Sequence, residues 1–310
     1  MSERDLTEPM SQSTSLSTDW ADCLRSAKRP TSREMREHLL EVHRQNTGFT
    51  EACAWHSRDS SGRNSYEWLV ETADPQRHRT IVDLACGSGP LTDLCQRRFG
   101  NATRIVGVDM SRHELELARQ RVPGEHVEFH EAMAQDMAFL DDDSVDAVLC
   151  HWALTLMDPV GPVLAEVHRV LRPGGVFAAI VDGDMRLTPC YEQQHHIIYD
   201  WVRREFPHYG AIELGDPRVR TAEALGELVN EYFRGDDIRV EHSFVEMTGE
   251  PETLAQQAAG FFYASFVLSP DNRAQMLEAL ERDFEDRRPQ PSAPHSRFRM
   301  PINRLVVQRR

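Results

Sequence analysis

The chain has 310 residues, 40% of them hydrophobic and 27% charged, enough apolar material for one large core with appendages or for two modest domains. Its 35 Lys and Arg face 50 Asp and Glu, a formal charge of -15 that disfavours a polyanionic partner, so no nucleic acid is expected to bind. Six scattered cysteines without a C-x-x-C pair point away from a zinc knuckle or disulfide framework and towards a reducing, cytoplasmic setting. No run of about 18 apolar residues marks a membrane span, and the acidic start MSERDLTEPM lacks the basic, then apolar, pattern of a signal peptide.

Residues 1–30 are rich in Ser, Thr and charge and are expected to form a disordered arm, long enough to reach a neighbouring subunit in a homo-oligomer. Ser32 to Gln45 reads as a helix with Leu39, Leu40 and Val42 on its apolar side. After a Gly/Ser/Arg-rich break at Ser57 to Asn64, SYEWLVETA reads as another helix, capped by Ser65. From Thr80 the pattern changes to short β-branched runs alternating with amphipathic segments. Strands are expected near 80–85, 104–109, 126–130, 145–150 and 176–182, and helices near 90–99, 111–121 and 160–171. Such alternation calls for a parallel sheet covered by helices on both faces, because parallel strands need crossover connections. In LRPGG, Pro173 and Gly174 are expected to end the third of these helices. Beyond Asp184, helical segments near 187–205, 219–233, 252–266 and 271–286 surround one strand-like run, DIRVEHSFVEM, and NRLVVQRR reads as a last strand.

The stretch IVDLACGSGPLT, Ile81 to Thr92, leads from the first strand into a helix, and Gly87 and Gly89 let backbone N–H groups approach a ligand closely. A dinucleotide fingerprint would place a third Gly or Ala where Thr92 stands, and a phosphate loop would continue with G-K-[ST]. Asp83, inside the strand, would repel a phosphate. The ligand is therefore one that tolerates or wants negative charge.

The motif VDLACGSG resembles the first motif of class I S-adenosylmethionine-dependent methyltransferases, with Ala85 in place of the first glycine. IVGVDMS resembles the family's second strand, AMAQDMAFLDDDSVDAVLCHWALTLMDP its following segment, and LAEVHRVLRPGGVF its later helix and turn. The resemblance covers about 100 residues and includes four motifs in order. It implies a small-molecule methyltransferase domain of type 11 or 25, built on a Rossmann-like, doubly wound, seven-stranded α/β sheet. That sheet is mostly parallel with an antiparallel last strand and carries a helical cap. It implies S-adenosylmethionine as cofactor, held by Asp83, Ala85, Gly87 and Gly89, with Asp109 on the ribose hydroxyls and Met110 on the adenine. The family's adenine-binding Asp falls on Met133, leaving Gln135 or Asp136, or the backbone N–H groups of Ala134 and Gln135, for that edge.

His151 follows the fourth strand at the carboxyl edge where open α/β sheets hold ligands, so it is a candidate for touching cofactor or substrate. His195 and His196 lie in the helix after the fifth strand, a region that in the family commonly covers the acceptor. Any of the three is a candidate general base, although adjacent helical residues point about 100° apart and at most one of the pair is expected to face a site. Methyl transfer needs alignment, exclusion of water and removal of a proton, and no ligand cluster suggests a metal, so metal independence is expected. Five parts follow: an arm at 1–30, a helical lid at 31–64, a cofactor-binding core at 65–185, a helical cap plus strand for the acceptor at 186–290, and a terminal strand of the sheet at 291–310. The function implied is transfer of a methyl group to O, N or C of a small natural-product or aromatic acceptor of secondary metabolism. The alternatives are a methyltransferase of proteins or other macromolecules, and a non-methylating cofactor-binding protein.

Overall fold

The computed structural model describes residues 18–26, 28, 30–46, 48–49, 51–209, 215–288 and 295–310. Three helices come first: α1 (Asp19–Arg25), α2 (Ser32–Gln45) and α3 (Glu51–His56). Then follow α4 (Ser65–Glu71), β1 (Thr80–Leu84), α5 (Pro90–Phe99), β2 (Arg104–Asp109), α6 (Arg112–Arg121), β3 (Val127–Glu131), β4 (Val145–His151), α7 (Gly161–Val170) and β5 (Leu171–Asp182). The remainder is α8 (Pro189–Glu205), α9 (Ala222–Tyr232), β6 (Asp237–Gly249), α10 (Pro251–Phe261), α11 (Pro270–Asp286) and β7 (Ser296–Gln308).

The strands form one 7-stranded sheet in the order β3-β2-β1-β4-β5-β7-β6. From β3 to β5 every pairing is parallel, and β7 runs antiparallel to β5, with Ala178 opposite Val306. This is the expected doubly wound architecture. Strands β1, β2 and β4 read as continuous apolar runs because both faces are covered, and Val82, Val106, Val148 and Phe177 are fully buried together. The order reverses between β1 and β4, which opens a crevice at their carboxyl ends.

The chain divides into two compact units. The first comprises Met1–Ser57, Pro189–Ile212 and Glu246–Arg299; the second comprises Arg58–Thr188, Glu213–Val245 and Met300–Arg310. The five consecutive parts expected from the sequence thus meet a division in which each unit is assembled from three separate stretches.

Three local expectations are corrected. The arm expected over 1–30 lies outside the described residues up to 17, but Asp19–Arg25 is helical, with Trp20 buried and stacked on His38 at 4.2 Å between ring centroids. Helix α7 stops at Val170, before Pro173 and Gly174. LRPGG belongs to β5 as an irregularity: Val145 pairs with Leu171 but Ala147 already pairs with Val176, and Gly174 takes φ 81° within it. The last strand begins at Ser296, well before Asn303, because its first half alternates buried Ser296, Phe298 and Met300 with exposed arginines.

Candidate cofactor site and active site

At the end of β1 the backbone turns left-handed at every second residue, with φ 58° at Ala85, 52° at Gly87 and 84° at Gly89. Such a conformation is free for glycine and strained for alanine, so Ala85 occupies a position that favours the glycine it replaces. At Gly89 a second reason applies: an added Cβ would stand 3.1 Å from the Cβ of Ala118 on α6. Pro90 then starts α5 without needing an N–H, and no side chain caps this helix.

Two carboxylates flank the loop. Asp83 is 1% exposed, and its Oδ2 accepts a 2.6 Å hydrogen bond from the hydroxyl of Thr92 in the first turn of α5. Burial raises its pKa to about 7, with further upward pressure from Asp109, against the hydrogen bonds from Thr92 that favour ionisation. Asp109, at the end of β2, accepts one backbone N–H on each oxygen: Gly87 on Oδ2 at 2.9 Å and Ser111 on Oδ1 at 2.7 Å. Those bonds fix its plane and leave lone pairs for two hydroxyl donors, as a ribose would present. Ser111 meanwhile caps α6 with its own hydroxyl on the Glu114 N–H, so Asp109 is spared that role.

Beyond β3, the N–H of Ala132 binds the carbonyl of Asp109 and the N–H of Asp136 closes a turn onto Met133. Met133, Ala134 and Gln135 are half-buried along this turn, as is Met110, while Asp136 is exposed. The cysteines nearest the loop are inert: burial pushes the thiols of Cys86 and Cys95 well above their ordinary range.

His151 closes β4. Its Nε2 lies 2.7 Å from the hydroxyl of Ser65, and its ring stacks on Tyr66 at 3.8 Å between centroids. Ser65 is available because Asn64, not Ser65, caps α4: Asn64 and Glu67 form a reciprocal capping box. The expectation of a base titrating near working pH is not met at His151, because burial lowers its pKa to about 3. The ring is a neutral imidazole held in place by α4. Next to it, Trp152 takes φ 60° and its Nε1–H donates a 2.6 Å hydrogen bond to Asp182 at the end of β5, whose carboxyl burial shifts upward. Sequence reasoning missed Ser65, Tyr66, Thr92 and Asp182. Thr92 alone carried a local signal, since a helix starting at Pro90 brings its first turn back over the end of β1.

The adjacent histidines belong to the other unit, on α8. His195 is half-buried, stacked on Tyr199 at 4.1 Å and 5.7 Å from Phe262, whereas His196 is exposed and its ring lies at 72° to that of His195. The two diverge as their spacing requires. Among the described residues no helix is long and apolar enough to cross a membrane.

A reversed strand order, a glycine-type loop after β1 and a ribose-type acid after β2 define a Rossmann-like domain of the class I S-adenosylmethionine-dependent methyltransferases. Residues 82–179 match the family model of the methyltransferase domain, so the chain carries such a domain. It is 37% identical over 147 residues to a ubiquinone/menaquinone biosynthesis C-methyltransferase from Desulfotalea psychrophila, covering 47% of this chain and 55% of that protein. It is 37% identical over 107 residues to a 2-phytyl-1,4-naphtoquinone methyltransferase from Trichormus variabilis, covering 33% and 46%. The chain thus spans about half the length of the curated relatives it matches. The fold is shared with the YcgJ protein from Bacillus subtilis, at TM-score 0.54 and 15% identity over 79% of this chain and 98% of that one.

Proposed function

We propose that the protein transfers a methyl group from S-adenosylmethionine to a small molecule. The observation that carries this reading is the pair Asp83 and Asp109 on either side of a left-handed loop, a cradle hostile to phosphate and suited to a cationic ligand with a ribose. Asp83 balances the positive amino-acid end, the loop from Ala85 to Gly89 leaves room for it, and Asp109 accepts the ribose hydroxyls. Met110 offers a thioether face to the adenine, and the N–H groups of Ala134 and Gln135 address its edge. When bound, the cofactor supplies an electrophilic methyl group and needs no metal to do so.

One named relative is a C-methyltransferase of ubiquinone/menaquinone biosynthesis and another a methyltransferase of a naphthoquinone, which favours carbon of a quinone-like ring as acceptor within the wider choice of O, N or C. Such an acceptor loses one proton as the carbon–methyl bond forms. His151, held as a neutral imidazole beside the Ser65 hydroxyl, is one candidate to take that proton. His195 and His196 are the other candidate bases read from the sequence. The test is calorimetric titration with S-adenosylmethionine of the wild type and Asp109→Ala, followed by detection of S-adenosylhomocysteine with hydroxylated naphthalenes as acceptors. Equal cofactor affinity in both proteins, or binding by neither, would sink the reading.

A further inference from the structure

Along the carboxyl edge of the sheet, Asp83 takes the Thr92 hydroxyl, Asp109 takes two backbone N–H groups, and Asp184, just past β5, holds Arg186 with both oxygens. Asp182, the last residue of β5, is held as firmly but keeps one oxygen unused. Its N–H donates to the Thr155 hydroxyl at 3.3 Å, its carbonyl accepts from Nδ2 of Asn303 at 3.2 Å, and the next N–H, of Gly183, binds the Pro301 carbonyl at 3.0 Å. The side chain is fixed as well. Oδ1 accepts the 2.6 Å bond from the Trp152 indole, and the backbone N–H of Trp152 is tied to β5 through the Ile180 carbonyl at 2.8 Å. Oδ2, by contrast, makes no hydrogen bond among the described residues and keeps some surface open on this half-buried residue.

Anchoring an indole does not call for such a group. A neutral amide or carbonyl oxygen accepts an N–H at a smaller desolvation cost than a carboxylate. The cost shows: burial lifts the Asp182 pKa above its ordinary 3.8, against the bond from Trp152 and the attraction of Arg220. Trp152 carries a cost too, since a left-handed φ of 60° strains a bulky residue. Strain and a desolvated carboxylate thus meet at one strand end, beside His151, which pairs with Ile180 two residues before Asp182. All of these residues belong to one compact unit.

We propose that Asp182 is the catalytic base of the methyl transfer, its Oδ2 taking the proton that the acceptor's hydroxyl, amine or ring carbon gives up; the assignment rests on the function proposed above. As the acceptor atom bonds to the methyl carbon, the carbon–sulfur pair leaves with S-adenosylhomocysteine, and the pair that held the proton stays on the acceptor. The neutral carboxyl group then returns the proton to water. Trp152 fixes the plane of the carboxylate and occupies Oδ1, which leaves Oδ2 for the reaction.

The test measures S-adenosylhomocysteine formation by the full chain with 1,4-naphthalenediol as acceptor, across pH and at saturating cofactor, where the ionisation of Asp83 on binding drops out. The wild-type kcat rises with pH to a plateau, with a midpoint above 3.8, because only the ionised carboxylate takes a proton. In Asp182→Asn the amide oxygen still accepts from Trp152, yet kcat falls about 100-fold and the pH limb flattens. Its affinity for S-adenosylhomocysteine is unchanged and its Tm is not lowered, while Asp182→Glu keeps part of the activity. Wild-type kcat or an intact limb in Asp182→Asn would leave Asp182 only the task of holding Trp152 and overturn the proposal. So would a wild-type limb centred near a pH of about 3, where His151 titrates. A wild type that binds S-adenosylhomocysteine but forms none from the diol also overturns it, and leaves the cofactor site standing.

Discussion

Replacing Asp83 with Asn removes a charge from a site where, among the described residues, Thr92 alone hydrogen-bonds it and solvent is nearly absent. Its pKa is raised from 3.8 to about 7, so the folded protein holds a proton that the unfolded chain gives up. The stability this provides is fully present below pH 3.8 and is lost as pH rises through about 7. The shift of about 3 units corresponds to about 4 kcal/mol carried against folding once the carboxylate is ionised. Asn avoids that cost but accepts on one atom instead of two, losing about 1 kcal/mol of hydrogen bonding. Relative to wild type, Asp83→Asn is therefore about 1 kcal/mol less stable near pH 4 and about 3 kcal/mol more stable at pH 8.5, while its affinity for S-adenosylhomocysteine falls. Urea unfolding at both pH values, without ligand, measures the difference directly. A difference that does not grow with pH would refute the view that Asp83 is a desolvated acid awaiting a cation.

Cofactor binding next to Asp83 should release a proton, so affinity rises with pH up to about 7 and then levels, as calorimetry in buffers of differing ionisation enthalpy would show. Ala85→Gly relieves a left-handed alanine and, after the extra chain entropy of glycine, gains about 0.5–1 kcal/mol; Gly89→Ala meets Ala118 and loses about 1–3 kcal/mol, both read by thermal unfolding. Ser65→Ala leaves Nε2 of His151 unpaired, costing about 1–2 kcal/mol, and lowers kcat more than it raises cofactor Kd if His151 serves the acceptor. His38, fully buried against Trp20, has its pKa lowered to about 4, so it supports the fold above pH 6.5 and that support fades as pH falls towards 4. His38→Phe should flatten this acid limb of the stability profile; an unchanged limb would place the acid sensitivity elsewhere.

The alternation of apolar runs gave the core strands nearly to the residue, because β1, β2 and β4 are buried on both faces and leave no ambiguity of register. Asp83 and Asp109 were legible for a related reason: each sits at a strand end where the motif spacing sets its place. Contacts that join distant stretches were not. Ser65 and His151 are 86 residues apart, and the link between them was hidden further by reading Ser65 as the cap that Asn64 in fact provides. The backbone of LRPGG offered a helix stop with sound local chemistry, yet pairing with β4 drew the whole segment into β5.

The seam between β5 and β7 bears on how the protein can be cut and recombined. The family match ends at residue 179, within a strand whose outer edge is covered by residues 302–308. A fragment bounded by that match would bare the edge of β5, an open template for intermolecular strand pairing and aggregation. Chimeras grafting a relative's domain into this chain should therefore exchange β7 together with it, preserving the facing pairs Phe177 with Val307 and Ala179 with Leu305.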